Sequence, residues 1–357
     1  MKAFFKAIGQ SLDGVVDRIL YFGYVVLTSI RHRGKILTFS RSLSEKYKQS
    51  TSFFILMAFN HYVRYGMHPL DYFYFNVYEN KEFNPMDYAS TLFMYRFHKK
   101  LNRKRYTDFF QNKILFNEHF RRFMGHDFVN LKSLNSHELK NWITQHFDSS
   151  LIIKKHKSVG GFGVKRIRIK IENEQLLIDD KKFEERVNYL KEFDLLEEFV
   201  HQHERLAMLN SSCLNTVRIV TVLDQSKNVN IIGAVLRMGV NSDVDNFHSG
   251  GIAVRINLES GCLEGSGFRL DPGEPSIYPR HPVTNMEFDG YSLPHWDKLL
   301  ETVSNACYVF PEVRTIGWDV AITPRGVSLI EGNHDWDKII IEKALKRGIR
   351  KDLERFL

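Results

Sequence analysis

Apolar residues return at three- and four-residue spacing through Ser44–Tyr65 and Met86–Leu101, the period of a helix with one buried face. Residues 1 to about 125 are rich in aromatic and long polar side chains and poor in glycine, and this region reads as mostly helical. Ser136–His146 reads as a further short helix capped by Asn135 or Ser136. The texture then changes. Leu151–Ile153, Val164–Ile171 and Leu176–Ile178 predict strands, followed by a helix near Lys182–Phe193. Further strands are expected at Val217–Leu223, Val229–Met238 and Gly251–Asn257, with helices over Asp297–Cys307 and Asp337–Gly348. Asp319 sits in an apolar run, Thr323-Pro-Arg-Gly326 reads as a tight turn, and Val327–Ile330 is a second apolar run, which together predict a β-hairpin. No internal repeat or low-complexity tract interrupts this order.

At 357 residues the chain has room for two or three domains, or for one large domain with subdomains. Its 43% apolar and 26% charged content is that of a globular protein with an ample core. The net charge of +8 favours anionic partners such as nucleotide, acidic glycan or anionic lipid. Its densest basic runs, Arg31–Lys35 and His98–Arg105, lie early and are each expected to be solvated faces. No aromatic-basic recognition motif accompanies them, which argues against nucleic acid as a partner. Cys213, Cys262 and Cys307 lack CxxC spacing, so neither a disulfide framework nor a zinc site is indicated, and a reducing cytoplasm fits. Ile19–Ile30 is apolar but shorter than the roughly 18–20 residues of a membrane span. Its aromatics and the flanking Arg18 and Arg31 allow an interfacial helix, and burial against the protein's own core is the preferred expectation. No small-residue cleavage site follows it, so it is not read as a signal peptide.

Several polar residues sit where such a pattern does not need them. In the hairpin, Asp319 and Glu331 fall on paired strands, and Asn333 lies one alternation beyond Glu331 on the same face. Two carboxylates and an amide are hard oxygen ligands suited to Mg²⁺, although an ordinary hairpin with a polar end has the same pattern. Lys154 closes a strand and precedes Ser158-Val-Gly160-Gly161-Phe-Gly163, a glycine-rich turn whose N–H groups can approach phosphate oxygens. It is not a P-loop. Glu197-Glu198-Phe199-Val200, with Glu204 beyond, is a short strand offering backbone groups to an adenine edge and an acid to ribose hydroxyls, or merely a strand entering a loop. Arg218 and Arg237 lie inside apolar strands and each needs an anion, from a substrate phosphate or carboxylate or from a structural salt bridge. Asp245-Asn246-Phe-His248-Ser-Gly250-Gly251 is a polar loop able to hold substrate, or a bare Gly-Gly turn.

The order of these pieces, from Lys154 and its glycine loop to Asp319 and Glu331-x-Asn333, resembles the ATP-grasp superfamily. More closely it resembles the sugar-transfer-associated branch, encoded near surface-polysaccharide genes. The resemblance runs from about Tyr65 to Asp335 and includes Tyr65–Tyr72, Asn112-Lys113-Ile-Leu-Phe-Asn117 and Asn215-Thr-Val-Arg218. Lys155 departs from it, because many relatives carry proline there, and His334-Asp335-Trp336-Asp337 is more charged than the family pattern.

The resemblance implies an α+β fold in which two subdomains grip ATP behind a mostly helical N-terminal region. The expected divisions are residues 1–130, a lid subdomain at 131–200 and a central subdomain at 201–357. It implies ATP and Mg²⁺ as cofactors. Lys154 is expected on the α- and β-phosphates, with Ser158, Gly160, Gly161 and Gly163 in the loop that covers them. Glu197, Glu198, Phe199 and Val200 are expected at the adenine, and Glu204 at the ribose. Arg237 is expected to stabilise the transferred phosphate, assisted by Arg218, and Asp319, Glu331 and Asn333 to bind Mg²⁺. Asn215, Asp245, Asn246, His248, Gly250 and Gly251 are the expected substrate contacts. Asp335 either extends the metal site or caps the last helix. The implied activity is a carboxylate–amine ligase working through an acyl phosphate, joining an amino acid to a uronic acid of a capsular or O-antigen glycan. An ATP-dependent phosphotransferase is the alternative, and a binding protein with a decayed site a third reading against which the intact lysine and carboxylates argue. The implied location is the cytoplasm, with the basic N-terminal region available to a glycosyltransferase or to the inner membrane surface.

Overall fold

The computed structural model describes residues 19, 21–146, 150–156, 163–240, 250–270 and 277–357. The expected Ser44–Tyr65 stretch is broken in two. Helix α1 covers 21–31, α2 covers Arg33–Tyr47 and α3 covers Thr51–Tyr65. Lys48 turns left-handed and Ser50 caps the next helix by accepting the Phe53 N–H, so two adjacent end signals override one continuous apolar stripe. Gly66, at φ 68°, ends α3 in the left-handed conformation that favours glycine. The Met86–Leu101 stretch likewise starts late: α4 covers Pro69–Tyr74 and α5 Thr91–Leu101, the latter capped by Ser90. Helices α6 (Lys104–Gln111), α7 (Lys113–Phe120) and α8 (Ser136–Gln145) complete the helical region, with Asn135 and Glu138 forming a reciprocal capping box on α8.

The described strands form two antiparallel sheets. The first runs β1 (Phe128–Asn130), β6 (Leu195–Glu198), β2 (Ser150–Lys154), β3 (Val164–Glu172), β4 (Gln175–Ile178) and β5 (Lys181–Lys182) across its width. Helices α8 and α9 (Phe183–Leu190) cover it with a small core of their own, including Leu139, Ile143, Ile153, Ile167 and Phe183. The second has the order β11 (Ile277–Tyr278), β10 (Leu263–Phe268), β9 (Ile252–Ile256), β8 (Val229–Met238), β7 (Thr216–Leu223), β12 (Thr315–Thr323) and β13 (Gly326–Asn333).

Alternation divides the second sheet into two faces. Val217, Ile219, Trp318 and Val320 pack on one side with α11 (Trp296–Ala306) and with Phe110, Phe116 and Phe120 from α6 and α7. On the other side Val220, Val222 and Val235 pack with the N-terminal helices and α12 (Ile339–Leu345). Arg218, Arg237 and Asp319 share this second face by register. The chain ends in α13 (Arg350–Glu354).

Helix α1 departs from its expected burial. Tyr21, Val25 and Ser29 are covered, while Phe22, Tyr24, Val26, Leu27 and Ile30 are exposed. Its uniform apolarity hid which side would pack.

Candidate active site

The β12–β13 hairpin sets Asp319 directly opposite Glu331 and Gly317 opposite Asn333. The register slips after Asp319, whose neighbour Val320 pairs with Leu329, so Ile330 is the extra residue. Asp319 is almost fully buried and holds both strand arginines. Arg218 on β7 donates from Nε at 2.5 Å and from Nη2 at 2.9 Å, and Arg237 on β8 reaches Asp319 Oδ2 at 3.0 Å. Arg237 also donates to Thr216 Oγ1 at 2.7 Å. The anion that each arginine requires is therefore in the protein itself. Burial and the adjacent Glu331 raise the Asp319 carboxyl above its ordinary value, against the pull of the two guanidiniums. Contacts of 2.5–3.0 Å on both oxygens are those of a carboxylate gripped as an anion.

Glu331 is more open, with 38% of its side chain exposed. Its enclosure by neighbours works to raise its pKa, but Lys113 Nζ at 3.4 Å, with Arg218 and Arg237 beyond it, holds it well below the usual carboxylate range. Asn333 donates to Glu331 Oε1 at 3.3 Å and to the Gly317 carbonyl at 3.4 Å. Three cations thus face two carboxylates and an amide, an arrangement that accommodates a polyanion and a hard divalent cation together.

The first sheet brings a second buried carboxylate to a lysine. Lys154, at the end of β2, forms an ion pair with Glu197 on β6, whose oxygens also take Asn117 Nδ2 at 2.7 Å and lie 3.6 Å from His126 Nε2. Burial alone would raise the Glu197 carboxyl, and Lys154 with His126 instead holds it well below its ordinary range. His126 Nδ1 bonds to Ser328 Oγ on β13 at 2.9 Å, which links this group to the hairpin of the other sheet. The Lys113 backbone N–H donates to the His156 carbonyl just after β2, a further link.

Other expected residues are placed less directly. Ser158, Gly160, Gly161, Asp245, Asn246 and His248 lie outside the described residues. Gly163, at φ 75°, accepts the Lys155 N–H through its carbonyl and closes the described end of the glycine loop. Glu198 turns away from Glu197 and accepts the Asp127 N–H at 2.7 Å, and Phe199 lies under the Arg166 guanidinium. Val200 follows in the loop, and Glu204 opens α10 (Glu204–Leu209). Asn215 is buried, and its amide bonds to Gln202, Asn210 and the Leu206 carbonyl, so its polar atoms serve that network rather than the charged face. Gly250 and Gly251 lead into β9. Asp337, not Asp335, accepts the Ile339 N–H at the start of α12, while Asp335 is exposed beside His334.

Lys113, Asn117 and His126 were not assigned from sequence. Lys113 and Asn117 stood in the Asn112–Asn117 stretch without a role, and their signal was polar side chains on a short helix otherwise made of core aromatics. Asp127, His146 and Glu198 also converge, with ligand atoms within 4.8 Å of one another, but Arg121 at 3.5 Å already supplies Asp127 with a cation.

The family model described as sugar-transfer-associated ATP-grasp matches residues 92–356. Among solved structures, the chain is similar to biotin carboxylase from Campylobacter jejuni in a β,γ-ATP complex, at 11% identity and TM-score 0.43, over 70% of this chain and 46% of that one. It is similar to N5-carboxyaminoimidazole ribonucleotide synthetase from Thermus thermophilus, at 11% identity and TM-score 0.37, over 64% and 46%. The Aspergillus clavatus N5-carboxyaminoimidazole synthase, in complex with ADP, matches at 14% and TM-score 0.35, over 63% and 44%. The chain therefore spans less than half the length of these structures. No curated protein matches it in sequence.

Proposed function

Because the chain belongs to the sugar-transfer-associated ATP-grasp family, we propose that it is an ATP-dependent ligase that couples a carboxylate to an amine. The observation that carries this reading is the alignment of Asp319, Glu331, Arg218 and Arg237 on one sheet face, with Lys113 beside Glu331. Glu331 and Asn333, backed by Asp319, would hold Mg²⁺, which supplies charge neutralisation on the phosphate oxygens. Arg218 and Arg237 are held rigid by Asp319, so they present positive charge without reorganising when a phosphoryl group passes between oxygens. Lys154 stands where the glycine loop leaves β2, and its charge suits the phosphates that the loop would cover.

In the proposed reaction a carboxylate oxygen bonds to the γ-phosphorus and ADP leaves. The amine then attacks the acyl carbon, phosphate leaves, and the amine loses its proton to solvent or base. The substrate pair we favour is an amino acid and a uronic acid of a surface glycan, a choice that rests on the family's association with polysaccharide genes. From the dependence on ATP we infer a cytoplasmic location for this reaction.

The test is an ADP-release screen of amino acids against uronic acids and their nucleotide sugars, with the products identified by mass. Amide formation with stoichiometric ADP and phosphate is expected. Phosphate retained on the acceptor would instead identify a phosphotransferase. Absence of Mg-dependent ATP binding by calorimetry would overturn both.

A further inference from the structure

Eleven of the nineteen exposed large apolar side chains among the described residues fall between Ile19 and Val63. All but Ile19 and Leu37 lie on α1 and α3. On α1, Phe22, Val26, Leu27 and Ile30 point outward, with Leu27 70% exposed, and on α3 Leu56 and Val63 are 69% and 77% exposed. The two helices adjoin, because the Tyr21 and Phe22 rings lie 5.7 and 6.3 Å from that of Tyr62. Helix α1 is fixed to the body by the Tyr21 hydroxyl on the Gly66 carbonyl at 2.9 Å and by Thr28 beside His68 Nε2 at 3.0 Å. Its open side is therefore held outward by its own packed side.

An exposed apolar patch of this extent marks an interaction surface, and its charge selects the partner. From Ile19 to Tyr65 the sequence has one acidic residue, Glu45, against seven basic ones, with Arg31 and Arg33 exposed directly beyond the apolar turns. A second copy docked face to face would set these like charges against each other. Asp335 and Asp337 near Tyr24 are the acidic exceptions, and the strong basic excess along the two helices favours an anionic surface over the mixed rim of a protein partner. Apolar side chains rimmed by arginine and tyrosine are what an anionic lipid surface takes up. The eleven described residues of α1 span about 16 Å, and among the described residues no helix is long and apolar enough to cross a bilayer, a length that suits the interface.

We propose that α1 and α3 form a docking face for an anionic membrane, inserting Phe22, Val26, Leu27, Ile30, Leu56 and Val63 among the acyl chains while Arg31 and Arg33 meet the headgroups. None of these side chains is among those assigned to the ATP site, so the proposal stands or falls independently of the ligase reading.

The full chain is floated with phosphatidylethanolamine–phosphatidylglycerol vesicles and, in parallel, with phosphatidylcholine vesicles. Binding to the anionic vesicles is expected to exceed binding to the neutral ones and to weaken with salt. Leu27→Asp combined with Leu56→Asp should lower the partition roughly tenfold or more, because both side chains lose insertion. Arg31→Gln and Arg33→Gln should each lower it about fivefold. Thermal melts and ATP binding of these variants should match the parent, since the residues are exposed and outside the site. Absence of flotation by the parent, or undiminished flotation of the double aspartate variant with an intact melt, would overturn the proposal. So would a parent dimer that the aspartates dissociate, which would assign the face to a second copy.

Discussion

Asp319→Asn and Glu331→Gln separate two jobs that neighbouring carboxylates perform in one hairpin. Asp319 is the shared counter-ion of Arg218 and Arg237, whose side chains are only 12% and 13% exposed. Removing its charge leaves two guanidiniums without an anion in a poorly solvated place. Breaking a buried pair costs about 3–5 kcal/mol, and the retained amide oxygen puts this case near the lower end, about 3 kcal/mol. An unfolding entropy of about 2.1 cal/mol/K per residue gives roughly 0.75 kcal/mol/K for this chain, so the expected loss is about 4 °C in Tm. Glu331 faces solvent and meets Lys113 at 3.4 Å, a pair worth under about 1 kcal/mol and about 1 °C. Calorimetric scans without nucleotide should therefore rank Asp319→Asn well below Glu331→Gln. Adding Mg-ATP should raise the Tm of the parent but hardly that of Glu331→Gln, which should also lose most turnover. Equal Tm losses for the two variants would refute the division of labour, and full activity of Glu331→Gln would refute its place at the metal.

Two further outcomes follow from buried features away from the site. Burial raises the Glu342 carboxyl to about 8 and lowers the Lys343 ammonium to about 8. Between the ordinary carboxylate range and pH 8 the folded chain keeps a proton on Glu342 that the unfolded chain has lost, so stability falls as pH rises. Above pH 8 the unfolded chain keeps the Lys343 proton that the folded chain has shed, so stability climbs again toward the ordinary lysine range. Urea titrations should show a minimum near pH 8. Glu342→Gln, which keeps an acceptor for the Ala89 and Ile349 N–H groups, should remove the falling limb alone, and a falling limb that persists would exclude Glu342 as its source. Gly348→Ala would place a Cβ 2.1 Å from the Asp87 carbonyl oxygen and 2.6 Å from the Tyr88 nitrogen, both backbone atoms. It should cost about 3 kcal/mol, read as a lower urea midpoint at unchanged slope, and an unchanged midpoint would show that the 87–88 turn yields.

What the sequence made legible was local. The turn at Thr323–Gly326 and the flanking apolar runs bring Asp319 and Glu331 close together on paired strands, but unbroken alternation would set Asp319 opposite Ile330, and only the extra residue in β13, which the sequence does not signal, makes Glu331 its partner. Arg218 and Arg237 were visible as charges that apolar strands cannot carry alone. Their common partner was not, because Asp319 lies 101 positions from Arg218 and meets it only through sheet order. Lys113, Asn117 and His126 were hidden for the same reason, since their partners Glu331, Glu197 and Ser328 lie on strands far along the chain. The break at Lys48–Ser50 was missed because apolar spacing outweighed a cap signal two residues wide. Helix α1 misled through composition. A helix apolar on all sides does not say which side is covered.

The charged residues also account for how the two sheets are joined. The core beneath the first sheet and the two clusters on the second are separate, so apolar packing alone does not set the position of Lys154 relative to the hairpin. Polar contacts do that. Lys154 meets Glu197, Glu197 meets His126, His126 meets Ser328 on β13, and Lys113 touches both the end of β2 and Glu331. Each neutral hydrogen bond in such a chain has a net worth of about 0.5–1.5 kcal/mol, small against the burial within either core. An incoming polyanion would compete for Lys154 and Lys113, the lysines at the two ends of that chain, and so would act on the link between the sheets rather than on either sheet.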